Sequence, residues 1–259
     1  MEAIILCGGF ATRLEPISLY IPKPLLPVGG RPIIDYIMDS LTDIGINRIV
    51  VSTNKKFGDQ FDYWIENKKE KLGLPIDLVV EPTLTNAEKF GAIKGISYVI
   101  KSMGIDDDVV IVAGDNYYSF DLKHMYEEFK GLKSPIVALQ DIGSIEQAKR
   151  FGVAVTYNGK IVEFEEKPAE PKTTTVSTGI YMLPRDSLGK VDEYLRGSNN
   201  PDAPGHFLKW LVRSSTVYGF KCEGEWADIG TLETYKRVFE SARDAHEQHV
   251  TKSRSGHSQ

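Results

Sequence analysis

The chain has little cysteine, no long apolar run and no excess of positive charge. Only Cys7 and Cys222 occur among its 259 residues, too few for a disulfide framework or a thiolate zinc site. No apolar stretch approaches the ~18 residues of a membrane-spanning helix. The opening Met1–Gly8 also lacks the basic segment and apolar core of a secretory leader. These absences read as a cytoplasmic protein with no membrane partner. Basic side chains number 31 against 36 acidic ones, a formal charge of -5, and no basic block offers a footprint for nucleic acid. What is present is ordinary for a globular chain: 41% apolar and 26% charged residues, at a length that suits one large α/β domain.

Apolar runs at Ala3–Leu6, Ile49–Ser52, Leu78–Val80, Val109–Ala113 and Ile136–Leu139 alternate with segments of helical periodicity. That alternation predicts a largely parallel sheet. The first and fourth runs are nearly continuous in apolar character, as strands covered on both faces are. Ile33, Ile34, Ile37, Met38, Leu41 and Ile44 share one helical face, with Pro32 suited to the first turn and Gly45 to the stop. After Gly152 the texture changes: Val153–Tyr157 and Lys160–Phe164 flank Asn158-Gly159, a strong hairpin signal, so an antiparallel element joins the parallel half. Arg196–Gly205, rich in Gly, Asn and Pro, reads as a loop, and Leu232–His249 as a closing helix. Residues 251–259 read as a disordered tail. No repeat or linker divides the chain, so one domain is expected over residues 1–250, with a first half to about 140 and a second from about 141 to 235.

Strand Ala3–Leu6 runs into Gly8-Gly9-Phe10-Ala11-Thr12-Arg13-Leu14, where glycines let the backbone approach a ligand and expose N–H groups that cradle phosphate oxygens. Arg13 adds a planar cation. Further on, Lys23 stands between Pro22 and Pro24, which stiffen its backbone and limit the wandering of its ammonium, a second cation able to face the same phosphates. The loop is neither a Walker A motif nor the G-x-G-x-x-G fingerprint, so ATPase and dehydrogenase readings lose their usual support. Asp115, in Gly114-Asp115-Asn116, follows Val109–Ala113. It therefore belongs on the rim beyond the strands' carboxyl ends, beside the glycine loop. Asp228 lies in Trp226-Ala227-Asp228-Ile229-Gly230-Thr231, just before the last helix. Either aspartate alone is more often a cap or turn residue, but two of them meeting at a triphosphate suit Mg²⁺.

These motifs resemble those of sugar nucleotidylyltransferases, whose signature is a strand, then G-G-x-G-T-R-L, then P-K-P-L-L-P-V. Ala11 departs from it, standing where the family usually has a third glycine. The resemblance runs from about Ala3 to Tyr235 and implies a Rossmann-like α/β fold of the GT-A kind, a mixed, mainly parallel sheet with helices on both faces. It implies a nucleotide half bearing Leu6, Gly8, Gly9, Ala11, Thr12, Arg13, Lys23, Glu81 and Gly91, and Mg²⁺ held by Asp115 and Asp228. It further implies a sugar half in which Gly152 admits the ring, Glu166 accepts hydrogen bonds from hydroxyls and Lys167 contacts the sugar phosphate. Thr178 and Gly179 close that pocket, and Arg13, Lys23 and Lys167 are the catalytic cations. An isolated Glu165-Glu166-Lys167-Pro168 is more often a solvated strand end; its context favours the functional reading.

The implied reaction joins a nucleoside triphosphate to a sugar 1-phosphate with release of pyrophosphate. Around Lys89-Phe90-Gly91-Ala92 the chain departs from its relatives, so the base stays open, with glucose 1-phosphate and dTTP or UTP as first substrates. Two rivals remain: a glycosyltransferase, which would release a nucleoside diphosphate, and a silent relative that binds nucleotide sugars without turnover. The chain is too short for a full β-helix, so acyltransferase activity is not expected, and assembly into a homo-oligomer is left open.

Overall fold

Strand β1 (Glu2–Cys7) sends Ala3, Ile5 and Cys7 into one apolar cluster and Ile4 into another. A strand apolar on both faces needs cover on both sides, and that need organises the computed structural model, which describes residues 1–241. After β1 the strands are β2 (Pro27–Val28), β3 (Arg31–Pro32), β4 (Arg48–Asn54), β5 (Ile76–Glu81), β6 (Val109–Ala113), β7 (Asn116–Tyr118) and β8 (Ile136–Asp141). They continue as β9 (Gly152–Tyr157), β10 (Lys160–Glu166), β11 (Thr175–Leu183), β12 (Tyr218–Lys221) and β13 (Trp226–Asp228). The helices are α1 (Ile33–Asp43), α2 (Gly58–Leu72), α3 (Ala92–Met103), α4 (Lys123–Leu132), α5 (Ile145–Ala148), α6 (Gly189–Arg196) and α7 (Pro204–Ser214).

The central sheet is mixed, as expected, and has nine strands in the order β5-β4-β1-β6-β11-β8-β12-β10-β9; it is less parallel than expected, because β11 enters antiparallel between β6 and β8 and the β9/β10 hairpin adds further antiparallel joins. It is parallel from β5 through β6 and again between β8 and β12, and its other joins are antiparallel. One face packs on Ile34, Ile37 and Leu41 of α1, Phe61 and Ile65 of α2, and Met125 and Phe129 of α4. The other packs on Ile96 and Val99 of α3, Val191 and Tyr194 of α6, and Phe207 and Leu211 of α7. The hairpin forms as expected, with Asn158 and Gly159 both at positive φ, 48° and 75°, the conformation a two-residue I′ turn requires.

The loop read over Arg196–Gly205 is shorter than its composition indicates. Arg196 closes α6, while Pro204 and Gly205 open α7. Proline at the first helical position loses no hydrogen bond, and its fixed φ suits the helix, so what looked like a breaker is a start. Residues 232–241 are helical, as expected of the closing helix. Its expected continuation to His249 and the tail at 251–259 lie outside the described residues. No helix among the described residues is long and apolar enough to cross a membrane.

Candidate functional site

The glycine loop leaves β1 at the carboxyl edge of the parallel strands. Ala11 there adopts the left-handed conformation, φ 47° and ψ 41°, at a cost of about 1–2 kcal/mol for a residue with a side chain. That explains why glycine is usual at this point of the motif and why the smallest side chain replaces it. The Ala11 carbonyl accepts the Leu14 N–H at 2.9 Å, turning the chain so that exposed Thr12 and Arg13 face outward.

Two separate devices bring the aspartates together. At the end of β6, Gly114 donates its N–H to the Leu6 carbonyl at 2.9 Å. A methyl group at 114 would lie 2.5 Å from Cys7 Sγ and 3.0 Å from the Leu6 oxygen, so only glycine lets β6 finish this tightly against β1. Asp115 is thereby set beside the glycine loop. Asp228 arrives from the far end of the chain on β13, which pairs antiparallel with β7 and places Asp228 opposite Asn116.

Lys23 joins the two. Its Nζ donates to Asp115 Oδ2 at 2.9 Å and to Asp228 Oδ1 at 3.1 Å. The lysine side chain is only 6% exposed, against 46% for Asp115 and 31% for Asp228. Burial by itself lowers the ammonium's pKa, but the charges and hydrogen bonds of Asp115 and Asp228 outweigh it and hold the pKa above the ordinary lysine value. Leu25 and Leu26 donate their N–H groups to the carbonyls of Pro22 and Lys23 at 2.9 and 3.0 Å, fixing the backbone from which Lys23 projects.

A cleft of about 490 Å³ opens on this rim. Leu6, Gly8, Gly9, Ala11, Thr12, Arg13, Lys23, Glu81 and Gly91 all line it, together with Asp115 and Asp228. Glu81 ends β5 and is buried, accepting the Ser52 hydroxyl at 3.1 Å. Burial pushes its carboxyl pKa up, partly offset by the Ser52 hydrogen bond and the Lys94 charge. Methyl groups on Gly8 or Gly95 would come within 3.1 and 2.9 Å of Glu81 Oε1, so both glycines make room for this carboxylate.

The residues expected on the sugar side form a neighbouring group outside the lining of that cleft. Gly152 and Glu166 are partners across the β9/β10 hairpin, and Lys167, 59% exposed, pairs with Glu166 at 3.5 Å. Gly179, at φ 83°, packs on Asn116 and Ala113 beside the end of β6. Thr178 differs from the expectation in one respect: it is fully buried and its hydroxyl donates to the Ala138 carbonyl at 3.1 Å. Its contribution is the backbone carbonyl, which accepts from Asn116 Nδ2 and Trp226 Nε1 at 2.8 and 3.2 Å.

What links the two groups is the start of α7, which the sequence reading placed in a loop. Pro204 lines the cleft, while Gly205 lies against Glu166, where a methyl group would overlap Oε2 and come within 2.8 Å of Cδ. Asp202, Asn86 and Gly95 also line the cleft without having been singled out, and Lys89, noted only for its departure from the family pattern, lines it too. One signal was available for α7: Phe207, Leu208 and Leu211 follow Pro204 at helical spacing. Alanine at 205 suits a helix better than glycine, so Gly205→Ala is expected to leave the fold intact while displacing the Glu166 carboxylate. On the role the resemblance implies for Glu166, the expected kinetic result is a KM for the sugar phosphate raised about tenfold with the nucleotide KM unchanged. Equal effects on both substrates would detach Glu166 from the sugar.

In open α/β sheets the rim beyond the strands' carboxyl ends is where ligands bind, and this protein has the features of that class. A family model described as nucleotidyl transferase matches residues 2–245, and the chain belongs to that family. Over 241 residues it is 31% identical to a protein of Sulfolobus acidocaldarius named as a mannose-1-phosphate guanyltransferase, an alignment covering 92% of this chain and 62% of that one. A glucose-1-phosphate adenylyltransferase of Fervidobacterium nodosum is 30% identical over 251 residues, 90% of this chain and 59% of that one. The chain thus spans about three-fifths of the length of these curated relatives. The crystal structure of a Bacillus anthracis protein named as a glucose-1-phosphate thymidylyltransferase, in complex with a sucrose, superimposes with a TM-score of 0.81 at 30% identity. That match covers 94% of this chain and 96% of the other.

Proposed function

We propose that this chain transfers a nucleoside monophosphate from a nucleoside triphosphate to a sugar 1-phosphate, giving a nucleoside diphosphate sugar and pyrophosphate. The observation that carries the reading is the convergence of Asp115 and Asp228 on one ammonium in the cleft that the Arg13 loop also lines. An oxygen of the sugar phosphate attacks the α-phosphorus in line as the bond to the β-phosphate breaks, with no covalent enzyme intermediate. The nucleophile is already ionised, so no general base is needed. The backbone N–H groups of Gly8 and Gly9 and the Arg13 guanidinium hold the triphosphate, and Arg13 offsets charge on the departing pyrophosphate. Lys167 reduces repulsion between the two anionic substrates, and Glu166 orients the sugar.

Mg²⁺ fits this donor set. Among the described residues no group of three or more His, Cys, Asp or Glu gathers, and two carboxylates alone suit a hard cation that completes its shell with water and substrate phosphates. Asp115 and Asp228 would hold it, and when bound it neutralises phosphate charge. Its likeness to sugar-phosphate enzymes and its two free, buried thiols support a cytoplasmic site of action.

The test is a matrix of donors and acceptors followed by pyrophosphate release. dTTP and UTP head the donors, GTP and ATP are included because the relatives named above use different bases, and glucose 1-phosphate and mannose 1-phosphate lead the acceptors. Release of a nucleoside diphosphate from a nucleotide sugar, or binding without turnover, would overturn the proposal. Glu81 stands at the base end of this reading. An ionised carboxylate only accepts hydrogen bonds, whereas a glutamine amide donates as well. Glu81→Gln is therefore expected to change the ratio of kcat/KM between two bases by about tenfold or more, with the sugar-phosphate KM held. An unaltered base ranking would remove Glu81 from recognition.

A further inference from the structure

A lysine buried between two carboxylates satisfies them in the same way that a metal ion does. Lys23 Nζ donates to one oxygen of each aspartate, at 2.9 and 3.1 Å. Among the described residues no other ammonium or guanidinium pairs with either one. An ammonium has donors and no acceptor, so it cannot ligate a cation, and two positive charges side by side between the same oxygens repel each other strongly. Lys23 and a divalent cation are therefore alternatives for this space. The pair with its lysine carries one net negative charge, whereas a divalent cation in the lysine's place would make it neutral and set free an ammonium in a cleft also lined by Gly8, Gly9 and Arg13.

We propose that Lys23 is the built-in counter-ion of the metal pair: in the nucleotide-free protein its ammonium holds the space between Asp115 and Asp228, and Mg²⁺ enters only together with the triphosphate. The phosphates then take over the ammonium as it leaves the carboxylates. This rests on reading Asp115 and Asp228 as the metal pair. The backbone around Lys23 is stiffened by Pro22 and Pro24, and Leu25 and Leu26 are hydrogen-bonded back to Pro22 and Lys23. Only the four-carbon side chain has to move. One cation thereby serves two anionic partners in turn, and the carboxylates are never left uncompensated.

The experiment is a titration of the whole, nucleotide-free protein with Mn²⁺, read by the paramagnetic resonance signal of the free ion and by calorimetry. Wild type is expected to show no saturable site in the micromolar range. Lys23→Met, an unbranched apolar replacement, is expected to bind Mn²⁺ at least about tenfold more tightly than wild type, a conservative share of the repulsion between neighbouring cations. The double variant Lys23→Met/Asp228→Asn is expected to lose that gain, and circular dichroism reports whether each variant is folded. Micromolar binding by wild type alone, no gain in Lys23→Met, or a gain that survives Asp228→Asn would each overturn the proposal. Because the readout is binding, it is independent of whether any donor and acceptor turn over.

Discussion

Asp228→Asn is expected to lower the kcat of the proposed transfer by about 10²- to 10³-fold, the loss typical when one preorganised electrostatic stabiliser is removed. Asparagine keeps the shape of the side chain, so β13 keeps its pairing with β7 and its register, Asp228 to Asn116. The substitution removes one of the two negative charges on Lys23 and leaves the hydrogen bond to Asp115 at 2.9 Å. The fold should therefore persist, and on the proposed metal role of Asp228 the Mg²⁺ requirement should rise. The measurement is turnover against Mg²⁺ concentration at saturating substrates, with thermal unfolding alongside. A kcat deficit together with a half-saturation shifted to higher Mg²⁺ supports the metal pair. Reduced turnover with an unchanged Mg²⁺ dependence would exclude Asp228 from it, and a large loss of unfolding temperature would assign the residue a structural part instead.

Much of the parallel half was legible because its strands are runs of β-branched and aliphatic residues. Val109–Ala113 is covered on both sides, so its apolar character is continuous, and α1 is amphipathic with a proline before it and Gly45 at φ 71° after it. The Asn158-Gly159 hairpin was legible from turn chemistry alone. The placement of β11 was not. It inserts antiparallel between β6 and β8, with Tyr181 facing both Ile111 and Val137. Nothing in its local pattern names partners so distant along the chain. β12 is four residues long and finds its place by parallel pairing with β8, again a tertiary matter.

The candidate site was legible in the same uneven way. The glycine loop and Lys23 sit in dense local motifs that identify themselves. Asp115 and Asp228 looked like ordinary turn residues until the family resemblance paired them, and their meeting depends on the three-residue strands β7 and β13, too short to have a periodicity. Lys23 was expected among phosphates, and its hold on both carboxylates had no sequence signal, because an ammonium between prolines looks the same whichever anion it meets. The start of α7 was hidden by composition: Gly, Asn and Pro dominate Gly197–Gly205, and the helix shows only in the apolar residues that follow.

Gly91→Ala is expected to destabilise the protein by about 3 kcal/mol, within the about 2–6 kcal/mol that two usually separate costs give together. Gly91 has φ 78° and ψ 158°, a region essentially restricted to glycine and costing other residues about 1–3 kcal/mol. Its added methyl would also lie 2.6 Å from Asp202 Cα and from the Pro201 carbonyl oxygen, and overpacking against backbone, which cannot swing aside, typically adds about 1–3 kcal/mol. The loop it would push is held at the start of α3: Ala92 and Ile93 donate their N–H groups to the Asp202 and Pro201 carbonyls at 3.0 and 2.9 Å, and Lys89 pairs with Asp202 at 2.9 Å. Those N–H groups are among the four that a helix start leaves without internal partners, so moving the loop uncovers them. Pro204 and Gly205 follow directly, and the displacement reaches the wall shared by the cleft and Glu166. The expected result is a fall in unfolding temperature of roughly 6–12 °C, with KM raised for nucleotide and sugar phosphate together, unlike the single-substrate effect expected of Gly205→Ala. Gly131→Ala on α4, where a methyl group meets nothing within 4 Å, is the control and should be neutral or slightly stabilising. Equal stability of the two variants would show that the loop does not bear on Gly91.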